Sequence, residues 1–337
     1  MSDRRTIAVL GAGSWGMAIA RHLDRQGHAV RLWEFDPRAA AALAATRLLP
    51  TKLPGIRLPE AVAVTSDLPA AVTGVDAIVF VTPSTALRAT AARVAERGSG
   101  DVLIVSLAKG IDVQTGERMT EILADELGRR DAVALVGPSH AEEVARDVPT
   151  ALVAACADSE KAVATQTLFN SEFLRVYTSD DPIGVELGAA LKNIVAIAAG
   201  IVDGLGFEST DNIKGALLTR GLAEITRLGV RMGARPETFA GLSGVGDLVT
   251  TCLSRHSRNR HVGEEIGRGK RLDDVLAGMT MVAEGVTTTR AALRLAAQHN
   301  VDMPIARAVG AVLFAGMPPA AALAQLMTRP AQPEIRR

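Results

Sequence analysis

The feature that most limits what this chain can fold into lies near its start. The apolar run Thr6–Leu10 leads straight into Gly11-Ala12-Gly13-Ser14-Trp15-Gly16, and the amphipathic stretch Ser14–Gln26 follows. A strand, a G-x-G-x-x-G turn and a helix in that order make the first βα unit of a dinucleotide-binding sheet. Gly11 permits the tight turn, Gly13 lets a pyrophosphate approach the backbone, and Gly16 lets the helix lie close on the strand. The pyrophosphate would sit on the helix N-terminus, where free N–H groups and the helix dipole favour anions. An ordinary glycine-rich βα turn is the competing reading.

The rest of the first half repeats the unit. Strand patterns fall at Thr6–Leu10, Ala29–Trp33, Ala61–Val64, Ala77–Val81, Val102–Leu107 and Ala132–Val136, with two more at Pro149–Ala155 and Phe173–Tyr177. Several are unbroken apolar runs, as expected of parallel strands covered on both faces. Helical patterns separate them, including Ser84–Arg97 and Thr115–Leu127. This spacing predicts an α/β fold with a doubly wound, Rossmann-type parallel sheet. After Asp180-Asp181-Pro182 the strand signals fade into long helical patterns: Ile183–Asp203, Asn212–Met232, Val282–His299 and Pro304–Phe314. Two domains are therefore expected: 1–182 for the dinucleotide, and an all-helical 183–337 for substrate and catalysis. The tail Thr328–Arg337 is expected to fray.

Composition excludes several classes. Lys plus Arg and Asp plus Glu each total 37, so the basic excess of a duplex-binding protein is missing. Aromatics are only 3%, which leaves an aliphatic, Ala- and Gly-rich core suited to closely packed helices. Cys156 and Cys252 form no C-x-x-C pair and read as reduced thiols. The strongest membrane candidate, Ile183–Leu205, is interrupted by Glu186, Lys192 and Asp203. A charge near the centre of a span costs about 2.5–3.5 kcal/mol. A buried helix of a cytoplasmic protein is the expectation, with no membrane span and no nucleic acid among its partners.

Candidate site residues cluster at strand ends, where open α/β sheets gather ligands. Beyond the second strand, Glu34 is the first candidate for the adenosine ribose and Asp36 the second, although Asp36 before Pro37 also suits a turn. Phe35 is placed to cover adenine or to pack locally. Thr82-Pro83-Ser84 follows one strand, Lys109-Gly110 another and Gly137-Pro138-Ser139-His140 a third. Ser139-x-x-Glu142 is also a capping box. Lys192-Asn193 interrupts an otherwise apolar helix. A desolvated lysine has its pKa lowered toward the range useful for proton transfer, and the Asn193 amide suits a carbonyl oxygen; snorkelling to the surface is the alternative. Ser254–His261 is strongly basic without interleaved aromatics, which suits one phosphate group better than a nucleic acid, or a solvated loop.

Taken together, these segments resemble the bacterial NAD(P)-dependent glycerol-3-phosphate dehydrogenases over nearly the whole chain. The glycine turn, Leu107-Ala108-Lys109-Gly110, Gly137-Pro138-Ser139 and Leu191-Lys192-Asn193 carry the resemblance. So do Gly244-Val245-Gly246-Asp247-Leu248, Ser257-Arg258-Asn259-Arg260 and Val282-Ala283-Glu284-Gly285. The resemblance implies reduction of dihydroxyacetone phosphate to sn-glycerol 3-phosphate for phospholipid synthesis. It implies Lys192 as the proton donor, with Lys109, Gly137, Ser139, Asp247, Ser257, Arg258 and Asn259 lining the substrate site. Ser14, Trp15, Phe35, Lys109, Ala141, Arg258, Val282 and Glu284 would touch the dinucleotide. Where many bacterial relatives carry Trp-Gly-Arg, this chain has Trp33-Glu34-Phe35. Either NAD or NADP fits the resemblance, and Glu34 favours NAD. No ligand cluster for a metal is present in the sequence. A β-hydroxyacid dehydrogenase acting on a carboxylate substrate is the alternative, since it shares the layout and a helix-borne lysine. The apolar helices of the second half are compatible with a homodimer.

Overall fold

The computed structural model describes residues 4–98, 100–331 and 333–334. Eight strands form one sheet: β1 Thr6–Leu10, β2 Ala29–Trp33, β3 Ala63–Thr65, β4 Ala77–Phe80, β5 Leu103–Ser106, β6 Val133–Val136, β7 Thr150–Ala155 and β8 Leu174–Ser179. Their order is β8-β7-β6-β5-β4-β1-β2-β3. The chain winds outward in both directions from the β1–β4 pair, and that reversal opens a crevice at the carboxyl ends. Side chains of β1 alternate between two cores. Ile7 and Val9 pack with Met17 and Ile19 of the first helix, while Ala8 and Leu10 pack with Leu87, Ala91 and Ile122 on the other face. Burial on both faces is why these strands read as continuous apolar runs.

The sheet departs from the all-parallel expectation at one edge. β1 to β6 run parallel, but β7 pairs antiparallel with β6 and carries β8 parallel to itself. A parallel return needs a substantial crossover. Between β6 and β7 the chain makes only the short helix Ala141–Val144, so it turns back along the same edge. Two further differences are local. Leu48–Leu49 and Leu53–Arg57 form a small antiparallel ribbon absent from the sequence reading. The helix expected from Thr115 begins at Met119. Asp112 accepts hydrogen bonds from Gln114 N and Thr115 N, and this turn competes with the first helical turn.

From Pro182 the described residues are helical or irregular. The central helix Pro182–Gly204 starts on the Asp181 cap, and every residue from Gly184 to Val202 is buried. Its first turns pack on the sheet, with Val185 and Ala189 against Val136, Val153 and Ala155. Its later turns form the centre of the helical half, with Ala196, Ile197 and Ile201 among its core. It is long and apolar enough to cross a membrane by length and composition, yet its apolar window lies wholly inside the protein. Small residues allow the tight crossing with the helix Arg258–Gly267: a Cβ on Gly263 would lie 2.0 Å from Ile197 O. Of the tail expected to fray, Arg329 is tied to Asp302 at 2.9 Å, while residues 332 and 335–337 lie outside the described residues.

Candidate active site

The site begins at the glycine turn. Gly11 has φ +114°, and a Cβ on Gly16 would lie 1.8 Å from Gly11 O, so the helix Ser14–Arg25 can lie this close only with glycine there. A Cβ on Gly13 meets nothing within 4 Å, so open space faces the turn. Beside it, at the end of β4, Thr82 Oγ1 is buried and has no hydrogen-bond partner among the described residues. A permissive turn, the free N–H groups of a helix start and an unpaired hydroxyl fit a pyrophosphate. Trp15 packs partly buried against the sheet core.

At the end of β2, Glu34 accepts from Asp36 N at 3.2 Å. Asp36 itself caps the helix Pro37–Thr46, accepting from Arg38 N at 2.8 Å, so its carboxylate serves the turn. Phe35 is 71% exposed and stands edge-on to Trp33, with the Arg93 guanidinium 5.8 Å from its ring centre. Arg31 points away from this corner and donates to Ala70 O and Thr73 O.

Lys109, beyond β5, donates to Gly137 O at 2.8 Å and to Asp247 Oδ2 at 2.9 Å. Asp247 Oδ1 accepts from Lys192 Nζ at 2.6 Å, and Lys192 also donates to Thr251 Oγ1. Asp247 and Thr251 lie one turn apart on the helix Asp247–Leu253, so both face the central helix. The strand-end lysine and the helix lysine thus share one buried carboxylate. Burial pushes the Lys192 ammonium down to about 8, with Lys109 adding repulsion and Asp247 opposing both. Burial alone would raise the Asp247 carboxyl, but Lys109 and Lys192 hold it below the usual range. Cys252 is driven by burial up to about 12 and stays a thiol.

Ser139 Oγ donates to Gly137 O at 3.0 Å, so the capping box with Glu142 does not form; His140 is the N-cap of the short helix that Ala141 opens, without a side-chain cap. The Ser254–His261 segment is a short turn, 254–257, that runs directly into a helix start. Ser257 caps the helix Arg258–Gly267 by accepting from Arg260 N. Arg258 Nη1 donates to Val282 O at 2.9 Å, and Arg260 turns away to Asp203. The Asn259 side chain is spent inside the protein, donating to Asn193 Oδ1 and accepting from Gly285 N. Glu284 reaches across to the sheet, accepting from Ser84 N at 3.0 Å and from Ser84 Oγ. Ser14 Oγ lies 3.7 Å from Met281 Sδ, which brings the Met281–Glu284 segment against the glycine turn.

The sequence reading missed Thr251 and Met281 as members of the site, and it marked Ser84 at a strand end without its partner Glu284. Thr251 was detectable as the i+4 partner of Asp247; Met281 meets the glycine turn, and Ser84 meets Glu284, only through packing between the halves of the chain. His140 Nε2 is buried and has no hydrogen-bond partner among the described residues, its ring 5.9 Å from that of His256.

Comparisons with known proteins agree over nearly the whole chain. The model of the NAD-dependent glycerol-3-phosphate dehydrogenase N-terminus matches residues 6–162, and that of the C-terminus matches residues 181–324. The chain is 50% identical over 333 residues to the glycerol-3-phosphate dehydrogenase (NAD(P)+) of Chlorobium luteolum, covering 97% of this chain and 99% of the relative. It is 50% identical over 326 residues to that of Pelotomaculum thermopropionicum, covering 96% and 93%. The crystal structure of glycerol-3-phosphate dehydrogenase from Coxiella burnetii superimposes with a TM-score of 0.92 at 36% identity, covering 97% of this chain and 99% of that one.

Proposed function

The chain belongs to the NAD-dependent glycerol-3-phosphate dehydrogenase family, and from this we propose that it reduces dihydroxyacetone phosphate to sn-glycerol 3-phosphate with Lys192 as the proton donor. The observation that carries the assignment of Lys192 is its buried contact with Asp247, which Lys109 shares. Bound at the glycine turn, the nicotinamide cofactor supplies the hydride. Lys192, at about 8, holds a proton at neutral pH and can release it to the developing alkoxide. Asp247 keeps Nζ aimed, and Lys109 adds positive charge next to the reacting oxygen. Arg258 and the first N–H groups of its helix receive the substrate phosphate, so remote binding energy orients the carbonyl. Asn259 acts through Asn193, engaging its Oδ1 and so turning its Nδ2 amino group to hold substrate oxygen.

The β-hydroxyacid dehydrogenase alternative gives way to family membership. The test is NAD(P)H absorbance loss with dihydroxyacetone phosphate, with a 3-oxo acid, and with neither. Loss confined to the 3-oxo acid would overturn the proposal. We place the division of labour at residue 182, with 1–182 holding the dinucleotide and 183–337 supplying Lys192 and the phosphate site. We also infer a cytoplasmic homodimer. Two reduced, buried thiols support the location, and an apolar groove of about 950 Å³ on the helical half, lined by Ile213, Leu217, Ile305, Val309 and Leu323, supports association. Sedimentation at equilibrium tests the dimer.

A further inference from the structure

Glu186 is a charged residue of the central helix that the proposed chemistry does not use. It lies less than two turns (about 9 Å along the axis) before Lys192. Only 5% of it is exposed, and both carboxylate oxygens are engaged by the other half of the chain. Thr120 N donates to Oε1 at 2.8 Å, Thr120 Oγ1 donates to Oε2 at 2.6 Å, and Arg118 Nη1 pairs with Oε2. Arg118 is held in turn by Glu121, which accepts from its backbone N and from Nη2, each at 2.8 Å. Thr120 and Arg118 open the helix Met119–Leu127, whose Ile122 and Leu123 pack on the sheet that carries the glycine turn.

We propose that Glu186 is a positioning residue, fixing the central helix to the sheet so that Lys192 and the dinucleotide share one frame. The inference rests on the reading of Lys192 as proton donor. The physical reason is geometric. The hydride comes from a group held by the sheet, and the proton from a side chain on a helix of the other half, so the two must be registered across the boundary. A misplacement of 1 Å can cost about a hundredfold in rate. Apolar contacts of Val185 and Ala189 with the sheet resist separation but tolerate small slides. Three directional hydrogen bonds on one carboxylate do not. Among the other polar ties, Lys109–Asp247 and Ser84–Glu284 each include a residue assigned to the ligands and can change partners during turnover, while Arg294, donating to Val113 O and Gln114 O, ties a different helix to the sheet half. The Glu186 tie touches no proposed ligand contact.

The test compares wild type with Glu186→Gln and Thr120→Val. Wild-type turnover of dihydroxyacetone phosphate is measured first, and its failure counts against the function, not the tie. If a 3-oxo acid is the substrate instead, the same variant-to-wild-type ratios are taken with it. Expected for Glu186→Gln are a kcat roughly tenfold lower or worse, an NADH Kd by fluorescence within about twofold, and a larger deuterium isotope effect on kcat with NADH labelled at the transferred hydrogen. In the protein without cofactor, exchange of the Thr120 amide hydrogen should quicken. Thr120→Val keeps the ion pair and the Thr120 N–H bond to Glu186 but loses the two hydrogen bonds of the hydroxyl, to Glu186 and from Arg118, so it should shift the same quantities in the same direction by less; it decides the matter if Glu186→Gln does not fold. Unchanged kcat and isotope effect per folded enzyme, with only a lowered Tm, would overturn the proposal.

Discussion

Lys192 Nζ stands 2.6 Å from Asp247 Oδ1, while the other oxygen of that carboxylate is held by Lys109 at 2.9 Å. Two ammonium groups around one buried carboxylate leave a surplus positive charge when both are protonated. That surplus suits an incoming phosphate dianion and eases loss of a proton from the more deeply buried lysine. Replacing Lys192 with Met keeps Asp247 paired to Lys109, so the fold and NADH affinity should survive. Turnover should fall by about 10²-fold or more, the usual contribution of a positioned acid. Near-normal steady-state kinetics in Lys192→Met would remove it from the chemistry.

The pH dependence follows from the same lysine. Reduction needs it protonated, so kcat/KM for dihydroxyacetone phosphate should hold below pH 8 and decline as pH rises through about 8. Oxidation of glycerol 3-phosphate needs the neutral amine and should rise through the same point. Profiles in both directions check this; parallel profiles would point to a different titrating group.

Arg258→Ala removes a guanidinium whose Nη1 is bound to Val282 O. Binding of phosphorylated substrate should weaken by about 1.5–3 kcal/mol, the scale of a charge-assisted hydrogen bond. Unphosphorylated dihydroxyacetone should lose much less. Equal losses for both would show that Arg258 shapes the Val282 segment instead of reading phosphate.

Cofactor choice turns on Glu34. Its carboxylate can accept from both ribose hydroxyls of NADH but meets like charge from a 2′-phosphate, roughly −1.5 to −2 near pH 7. Arg31 is committed to Ala70 O and Thr73 O and offers no compensation. NADH should therefore be favoured by kcat/KM, and Glu34→Gly with Phe35→Arg should move the ratio toward NADPH. A wild type that prefers NADPH would assign the phosphate to another cation, with Arg38 and Arg93 the first to replace.

Glu224 makes a stability prediction away from the site. It is buried, accepts from Ile305 N and Ala306 N, and is pushed by burial from 4.5 up to about 7. Between those values the native state binds more protons than the unfolded chain, so stability falls as pH rises across that window, by about 3 kcal/mol at most. Glu224→Gln should flatten the dependence of Tm on pH between 4.5 and 7. An unchanged slope would place the titration elsewhere.

Elements that depend on local pattern were legible in the order of residues alone. Strands β1 and β2 stand where their apolar runs lie, the glycine turn has the backbone that its spacing requires, and Lys192 sits in a buried helix as its apolar neighbours demanded. Periodicity reports which face of an element is apolar, and glycine reports where φ or close approach is constrained. Neither reports a partner far along the chain. Long-range packing settled that Lys109 and Lys192 share Asp247, that Asn259 turns inward to Asn193, that Glu284 meets Ser84, and that Glu186 is tied to Thr120. It also decided the reversal of β7, because the chain after β6 packs as one short helix with no crossover for a parallel return. Such pairings are set by how the central helix lies on the sheet, which is the sum of many weak apolar contacts across both halves. A hydrogen bond, short in range and directional, forms wherever that packing brings its two ends together.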